Sequence, residues 1–334
     1  MAKRSATRSQ AGYRPLFDPA RGVADAADEA VPEGVGDRRD GRVYVYTPEI
    51  ELAVNVALAT GRPLLVRGPS GGGKSTLARH AARVLGWRYY ERVISSRTQA
   101  HDVLWEIDHV RRLQDAHGGK LKPELADYVR PGVLWWVFDR AGARRQAARF
   151  EGRPAADVVD PNQGAEHARA VVLLDEIDKA DPDVPNNLLV PFGSLEFRVD
   201  DTDLAAKTTT KRAPLIFLTT NDERELPAAF LRRCVELELR APDAARLAAI
   251  GREHFPDVPA DRLERIAQLI VQVVPTDAQG NAMPSPAEYL DTVRASAVLR
   301  VPPQADGAAT ADSKRPTWDE LTRITIWKHG RQPG

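Results

Sequence analysis

The stretch Gly68-Pro69-Ser70-Gly71-Gly72-Gly73-Lys74-Ser75 decides how the rest of the chain is read. It fits G-x-x-x-x-G-K-[ST], in which glycines let successive backbone N–H groups turn inward around phosphate oxygens. Just before it, Pro63–Arg67 is a short apolar run suited to a buried strand. Just after it, Leu77, Ala78, Ala81 and Leu85 recur at helical spacing. A helix over Lys74–Leu85 aims its positive dipole end at the same place. Gly68, Pro69, Ser70, Gly71, Gly72, Gly73, Lys74, Ser75 and Thr76 are therefore expected to bind the phosphates of a nucleotide. Lys74 reaches the β- and γ-phosphates and the Ser75 hydroxyl ligates Mg²⁺.

A triphosphate site also needs a carboxylate for the metal. Ala170–Leu174 is an apolar strand running into Asp175 and Glu176. Asp175 at the strand end is expected to hold Mg²⁺ through its water shell, with Glu176 polarising the attacking water. A further apolar strand, Leu215–Thr220, ends in Asn221, whose amide is suited to bond the γ-phosphate or to position that water.

Further buried strands are expected at Tyr89–Ile94 and Cys234–Leu239, with the fourth-strand run starting at Pro214. Strands alternating with helical stretches, among them Pro48–Ala59 behind a Thr47 cap, indicate an α/β fold with a parallel sheet covered on both faces. From about Ala244 the strand signal stops. Ala244–Phe255, Arg262–Val274 and Pro286–Arg300 read as helices, followed by a Pro/Ala/Asp linker and a last segment, Trp318–Lys328.

In order along the chain, GPSGGGKS, VVLLDEID, LIFLTTN and Phe230-Leu231-Arg232-Arg233-Cys234, followed by helices, resemble the AAA+ ATPases. "DEIDKADPDVPNNLL" and "TTNDERELPAAFLRRC" are most similar to the MoxR-like branch of the helix-2-insert clade. The resemblance covers about residues 43–300. It implies a P-loop NTPase fold of the ASCE type with parallel strand order 5-1-4-3-2 and a C-terminal all-helical lid. It also implies an ATP hydrolase using Mg²⁺, with Gly68 to Ser75 as Walker A, Asp175 and Glu176 as Walker B, and Asn221 as sensor 1. One of Arg232 and Arg233, with register favouring Arg233, would be the arginine finger that reaches the γ-phosphate of a neighbouring subunit. An arginine suits that task because its charge is permanent and its planar fork matches phosphate oxygens.

The family pattern is not met everywhere. Pro284-Ser285-Pro286-Ala287-Glu288 has Ala287 where a sensor-2 arginine would fall, with Arg294 further along as the substitute to test. The interval from Lys74 to Asp175 is long and is expected to hold an insert at about 100–135. Asp108–Leu113, Gln114–Glu124 and Leu125–Arg130 read there as a hairpin facing a ring pore. Trp135 and Trp136 sit in the apolar run Val133–Phe138 and read as core rather than as a base-stacking pair. A second insertion, about 150–168, reads as a polar loop. The domain division expected is a tail over 1–42, the ATPase core over 43–241, and the helical lid with a C-terminal segment over 242–334. The tail is assigned on composition: the first 14 residues carry four basic and no acidic side chains, with no sustained apolar period.

Composition limits the partners. With 47 Lys+Arg against 47 Asp+Glu, the 334-residue chain lacks the basic excess of a dedicated nucleic-acid coat protein. Only nine of those cations are lysine, and one stands in the phosphate loop. The single Cys234 excludes an intramolecular disulfide, reads as packed rather than reactive, and fits a reducing cytoplasm. No transmembrane run or secretory leader is seen, and the seven histidines show no metal-ligand spacing. The expectation is a cytoplasmic ATPase assembling into a hexameric ring that remodels a protein partner, as MoxR-like proteins do with von Willebrand factor A-type proteins. A DNA-associated motor and a nucleotide-gated switch of a bacterial conflict system are the competing readings.

Overall fold

The computed structural model describes residues 16–22, 41–162, 164–208, 213–273, 285–303 and 317–326. Five strands form the central sheet: β1 (Leu64–Arg67), β2 (Arg88–Val93), β3 (Ala170–Asp175), β4 (Leu215–Thr220) and β5 (Val235–Glu238). They lie in the order β2-β3-β4-β1-β5, every neighbouring pair parallel. Read from the other edge, this is the expected 5-1-4-3-2.

The apolar runs of β1, β3 and β4 follow from burial on both faces. Successive residues alternate between two cores with the period of two that a strand imposes. Leu65, Tyr90, Val172, Leu174, Ile216 and Leu218 enter one core. Leu64, Val66, Tyr89, Val171, Leu173 and Phe217 enter the other. The second face is covered by α1 (Pro48–Thr60) and α2 (Lys74–Leu85). Thr47 caps α1 through its hydroxyl, which accepts Ile50 N–H at 3.3 Å; Pro48 opens the helix, and Gly61 closes it at φ 69°.

The insert differs from the expected hairpin. It is a three-residue antiparallel ribbon, Trp105–Ile107 against Val129–Pro131, carrying a helix, α3 (His109–His117). The physical cause is a cap: Asp108 accepts Arg111 N–H at 2.8 Å, which starts a helix where an extended strand was expected. Then come α4 (Val133–Phe138), which buries Trp135 and Trp136, and α5 (Arg140–Glu151). The 150–168 segment is pinned rather than loose. Asn162 Oδ1 accepts Tyr89 N–H at 2.9 Å, Asp160 pairs with Arg140, and His167 stacks on Trp87.

After β3, α6 (Asp183–Ser194) leads into a second small ribbon, Glu196–Arg198 with Ala205–Lys207, which the sequence reading did not separate. The short α7 (Ala228–Leu231) precedes β5. Beyond the sheet, α8 (Ala244–His254), α9 (Ala260–Val273), α10 (Pro286–Val298) and α11 (Trp318–Ile326) share a third core around Leu247, Leu263, Ile270, Tyr289 and Trp318. The last segment thus belongs to the helical group. No described helix is long and apolar enough to cross a membrane.

The expected tail needs correction. Phe17 is 1% exposed and packs among the residues of the α1–α2 face. Asn55 on α1 accepts the N–H groups of Leu16 and Phe17 at 2.6 and 2.9 Å and donates to Phe17 O at 2.9 Å. A single aromatic anchor with its backbone satisfied offsets the ordering of Leu16–Gly22, an effect that average composition cannot reveal. Residues 1–15 and 23–40 of that tail, the 304–316 linker, Pro284 and residues 327–334 lie outside the described residues.

Candidate functional site

Three neighbouring strands, β3, β4 and β1, deliver the expected residues to one edge of the sheet, because parallel strands put all their C-terminal ends together. The loop 68–73 leaves β1 with Gly68 at φ 141°, where a Cβ would come within 2.6 Å of Leu239 O. Gly73 caps α2 from the left-handed region, φ 86°, with no side-chain cap. The first helical N–H donor is Leu77, to Gly73 O at 3.0 Å, so the N–H groups of Lys74, Ser75 and Thr76 ahead of it have no acceptor within the helix, an arrangement that suits an anion. Ser70 and Gly71 form the exposed tip, and Pro69 supplies a carbonyl inward.

Lys74 is 7% exposed and its ammonium is bonded to Gly68 O at 2.7 Å, Pro69 O at 2.8 Å and Asn221 Oδ1 at 2.6 Å. Burial lowers its pKa from the ordinary lysine value, while the charges of Asp175, Asp178, Glu176 and Asp222 act in the opposite sense. The Ser75 hydroxyl lies 2.8 and 3.0 Å from the two carboxylate oxygens of Asp175, itself 5% exposed. Glu176 takes up φ 61°, an uncommon conformation for a side-chain-bearing residue. Its N–H donates to Thr219 Oγ1 at 2.8 Å, and its carboxylate pairs with Lys179 at 2.8 Å.

Thr219 is a candidate site residue that the sequence reading missed. Its hydroxyl accepts from Glu176 N–H and donates to Asp175, so one side chain on β4 holds the acid that ends β3 and the backbone of the acid that follows it. The available signal was a pair of threonines, Thr219 and Thr220, ending a strand that is apolar up to them and wholly buried. Tyr44 was missed too. Its ring lies against Gly73, where a Cβ would stand 3.4 Å from Cε2. It belongs to an aromatic group with Tyr46 and His80, where Tyr46 Oη and His80 Nδ1 are 2.9 Å apart.

Two sets of expected residues are not brought together with these. Arg232 and Arg233 are exposed and precede β5, whose first N–H, from Val235, donates to Pro63 O. They therefore sit at the N-terminal edge of the sheet, the length of β1 away from the phosphate loop of their own chain, about 13 Å at strand rise. At the helical side, Ala287 N–H reaches Gly71 O at 3.4 Å, so the start of α10 does meet the loop, but with alanine there. Arg294 lies elsewhere: two turns further on, its guanidinium is 6.0 Å over the Phe255 ring, inside the helical group.

The donor set fits Mg²⁺ with a triphosphate. Ser75 and Asp175 offer hard oxygens in mutual contact, and among the described residues no group of three His, Cys, Asp or Glu forms an all-protein metal site. That is the pattern of Mg²⁺, which keeps waters and takes phosphate oxygens with one or two protein ligands.

The family described as AAA domain (dynein-related subfamily) matches residues 63–234, just over half of the chain. No curated protein matches. Solved structures similar to this chain include one described as a "putative ATPase" from Cytophaga hutchinsonii, with 15% identity and a TM-score of 0.39, covering 67% of this chain and 58% of that one. Another is a point mutant of RuvB from Thermotoga maritima, with 15% identity and a TM-score of 0.42, covering 84% of this chain and 67% of that one. The chain thus spans less than two thirds of the first of these structures.

Proposed function

The chain belongs to the AAA domain family, dynein-related subfamily, and from that premise we propose that it is a Mg²⁺-dependent ATP hydrolase of the MoxR-like AAA+ type. In this reading it works in the cytoplasm as a hexameric ring that remodels a protein partner, a von Willebrand factor A-type protein being the first to test. The domain division proposed is an ATPase core over 43–241 and a helical lid with its C-terminal segment from 242 on. The observation that carries the reading is the meeting of Lys74, Asn221, the Ser75–Asp175 pair and Glu176 on one sheet edge, with Arg232 and Arg233 on the opposite edge.

Each residue then has a role that its placement supports. Gly68 to Gly73 and the first turn of α2, through Thr76, bind the phosphates, and Lys74 neutralises the β- and γ-oxygens. Ser75 and Asp175 would hold Mg²⁺, which supplies neutralisation of phosphate charge when bound. Glu176, its backbone fixed by Thr219, orients the attacking water and takes its proton. Asn221 aligns that water against the γ-phosphate. Arg232 or Arg233, remote from its own site, completes the site of a neighbour and makes hydrolysis depend on assembly.

The test is ATPase activity against protein concentration, alone and with the products of adjacent genes. Specific activity is expected to rise as subunits assemble, and Arg232→Ala with Arg233→Ala to abolish the rise. A concentration-independent activity would overturn the trans arginine. One observation favours a second reading, a nucleotide-gated switch: Ala287 stands against Gly71 where an arginine would couple lid to phosphate. Negligible turnover at concentrations where rings form would select it.

A further inference from the structure

Ile177–Lys179 form a 3-10 turn directly after Glu176. Its backbone closes on itself, Lys179 N–H to Glu176 O at 3.0 Å and Ala180 N–H to Ile177 O at 3.3 Å, so no side chain of the turn is needed to hold its shape. Yet Asp178 within it is a carboxylate only 2% exposed. One of its oxygens accepts Glu223 N–H at 3.0 Å, and the other has no hydrogen-bond partner among the described residues. A buried carboxylate so poorly satisfied is costly, and an apolar side chain of similar volume would fill the turn more cheaply. Such a group calls for a use.

The partner N–H points to that use. Glu223 follows Asn221 by two residues, and Asp222 between them is held at φ 57°, a left-handed conformation unusual for a residue with a side chain. This loop is stitched in several places. Asp222 N–H donates to Thr220 Oγ1 at 2.9 Å, which is local. The Asp222–Arg67 ion pair at 2.7 Å is partly exposed on both sides and so contributes little. Asp178, itself buried, supplies the link from the loop behind Asn221 to the turn that follows Glu176, and Arg224 Nη1 adds a long contact to Ala180 O at 3.5 Å. The charge of Asp178 also acts to raise the pKa of Lys74 and that of Lys179, the partner of Glu176.

We propose that Asp178 is a positioning residue, anchoring the loop behind Asn221 to the turn of Glu176 so that both groups approach the terminal phosphate in register. The inference rests on the ATPase reading for its kinetic consequence, but the tether itself can be read without nucleotide. Asp178→Ala removes the acceptor, whereas Asp178→Asn keeps a side-chain oxygen for Glu223 N–H and removes only the charge. Amide hydrogen exchange at Glu223, without nucleotide, is expected to speed up at least about tenfold in Asp178→Ala and to stay near the parent rate in Asp178→Asn. With ATP, Asp178→Ala is expected to lower kcat at least about tenfold with KM changed less than about threefold, and Asp178→Asn to recover most of the loss. Unchanged exchange in Asp178→Ala overturns the tether. An Asp178→Asn variant that keeps Glu223 protected but is as slow as Asp178→Ala overturns the positioning role. If the parent hydrolyses no ATP, the functional reading fails while the exchange result still decides the tether. Asp178→Leu, closer in volume, stands in for Asp178→Ala if that variant melts below the assay temperature.

Discussion

Lys74 donates its ammonium to Asn221 Oδ1 at 2.6 Å, across 147 residues of sequence. With Gly68 O and Pro69 O as its other acceptors, the ammonium is held at the centre of the loop by oxygens that phosphate oxygens can replace. Lys74→Ala is expected to weaken nucleotide binding at least about 100-fold, because a charge-assisted contact to two phosphates is lost. Asn221→Ala is expected to leave affinity within a few-fold while kcat falls about 100-fold, since the amide acts at the γ-phosphate. Fluorescent-nucleotide titration alongside steady-state kinetics separates the two.

Glu176→Gln keeps the shape and the backbone bond to Thr219 but cannot take a proton. It is expected to retain ATP while turnover drops by about 10² or more. Quantifying ATP and ADP bound to purified protein after mixing checks this, and parent-like turnover would remove Glu176 from the catalytic assignment.

His80 makes stability depend on pH in a definite direction. Burial, aided by Arg83, lowers its pKa to about 4, and the neutral ring pairs with the Tyr46 hydroxyl. Unfolded, the ring titrates near its ordinary 6.5, so below that pH the unfolded state gains a proton that the fold refuses. Stability is therefore lost progressively from about pH 6.5 down to about 4. Between pH 6.5 and 5 this share amounts to about 2 kcal/mol. Denaturant midpoints across that range should flatten by a comparable amount in His80→Phe. An unchanged slope would show that His80 is not the group responsible.

Phe17→Ala empties a buried aromatic site and is expected to cost about 3–5 kcal/mol. Asn55→Ala leaves the Leu16 and Phe17 N–H groups without their acceptor, at about 1–3 kcal/mol. Urea unfolding of both variants, and of a chain lacking residues 1–22, measures how far the N-terminal segment belongs to the core. Midpoints unchanged from the parent would return Leu16–Gly22 to the tail.

The Cys234 thiol is pushed up to about 12, mainly by burial with Glu236 adding to it. At pH 8 its alkylation is expected to be about 10³-fold slower in the folded protein than after denaturation, because the thiolate is the reacting form. Timed labelling read by mass spectrometry tests this.

The legible part of the molecule was the part whose causes are local. The phosphate loop, the Thr47 cap with Pro48 behind it, and the apolar runs of β1, β3 and β4 each depend on a handful of adjacent residues. Their ends fell within one or two residues of the observed ones. The insert was misread as a hairpin because one capping bond, Asp108 to Arg111, tips a polar stretch into a helix without altering its composition. Thr219 escaped notice because a threonine in a strand is ordinary until its two partners, the Glu176 N–H and the Asp175 carboxylate, are known.

The sequence by itself determined the fold class, the order of the motifs and the identity of the acids, lysine and amide of the site. Those follow from periodicity and from the fixed chemistry of residue types. Only the tertiary structure decided that Lys74 meets Asn221, that Asp178 ties the loop behind Asn221 to the turn of Glu176, and that Phe17 docks on α1. It likewise decided that Ala287 faces the phosphate loop while Arg294 lies over Phe255, and that Arg232 and Arg233 stand at the far edge of the sheet. Each of these depends on which strands become neighbours and which face a side chain takes. Those choices are made by long-range packing of the whole core, and a one-residue change of register would reverse them.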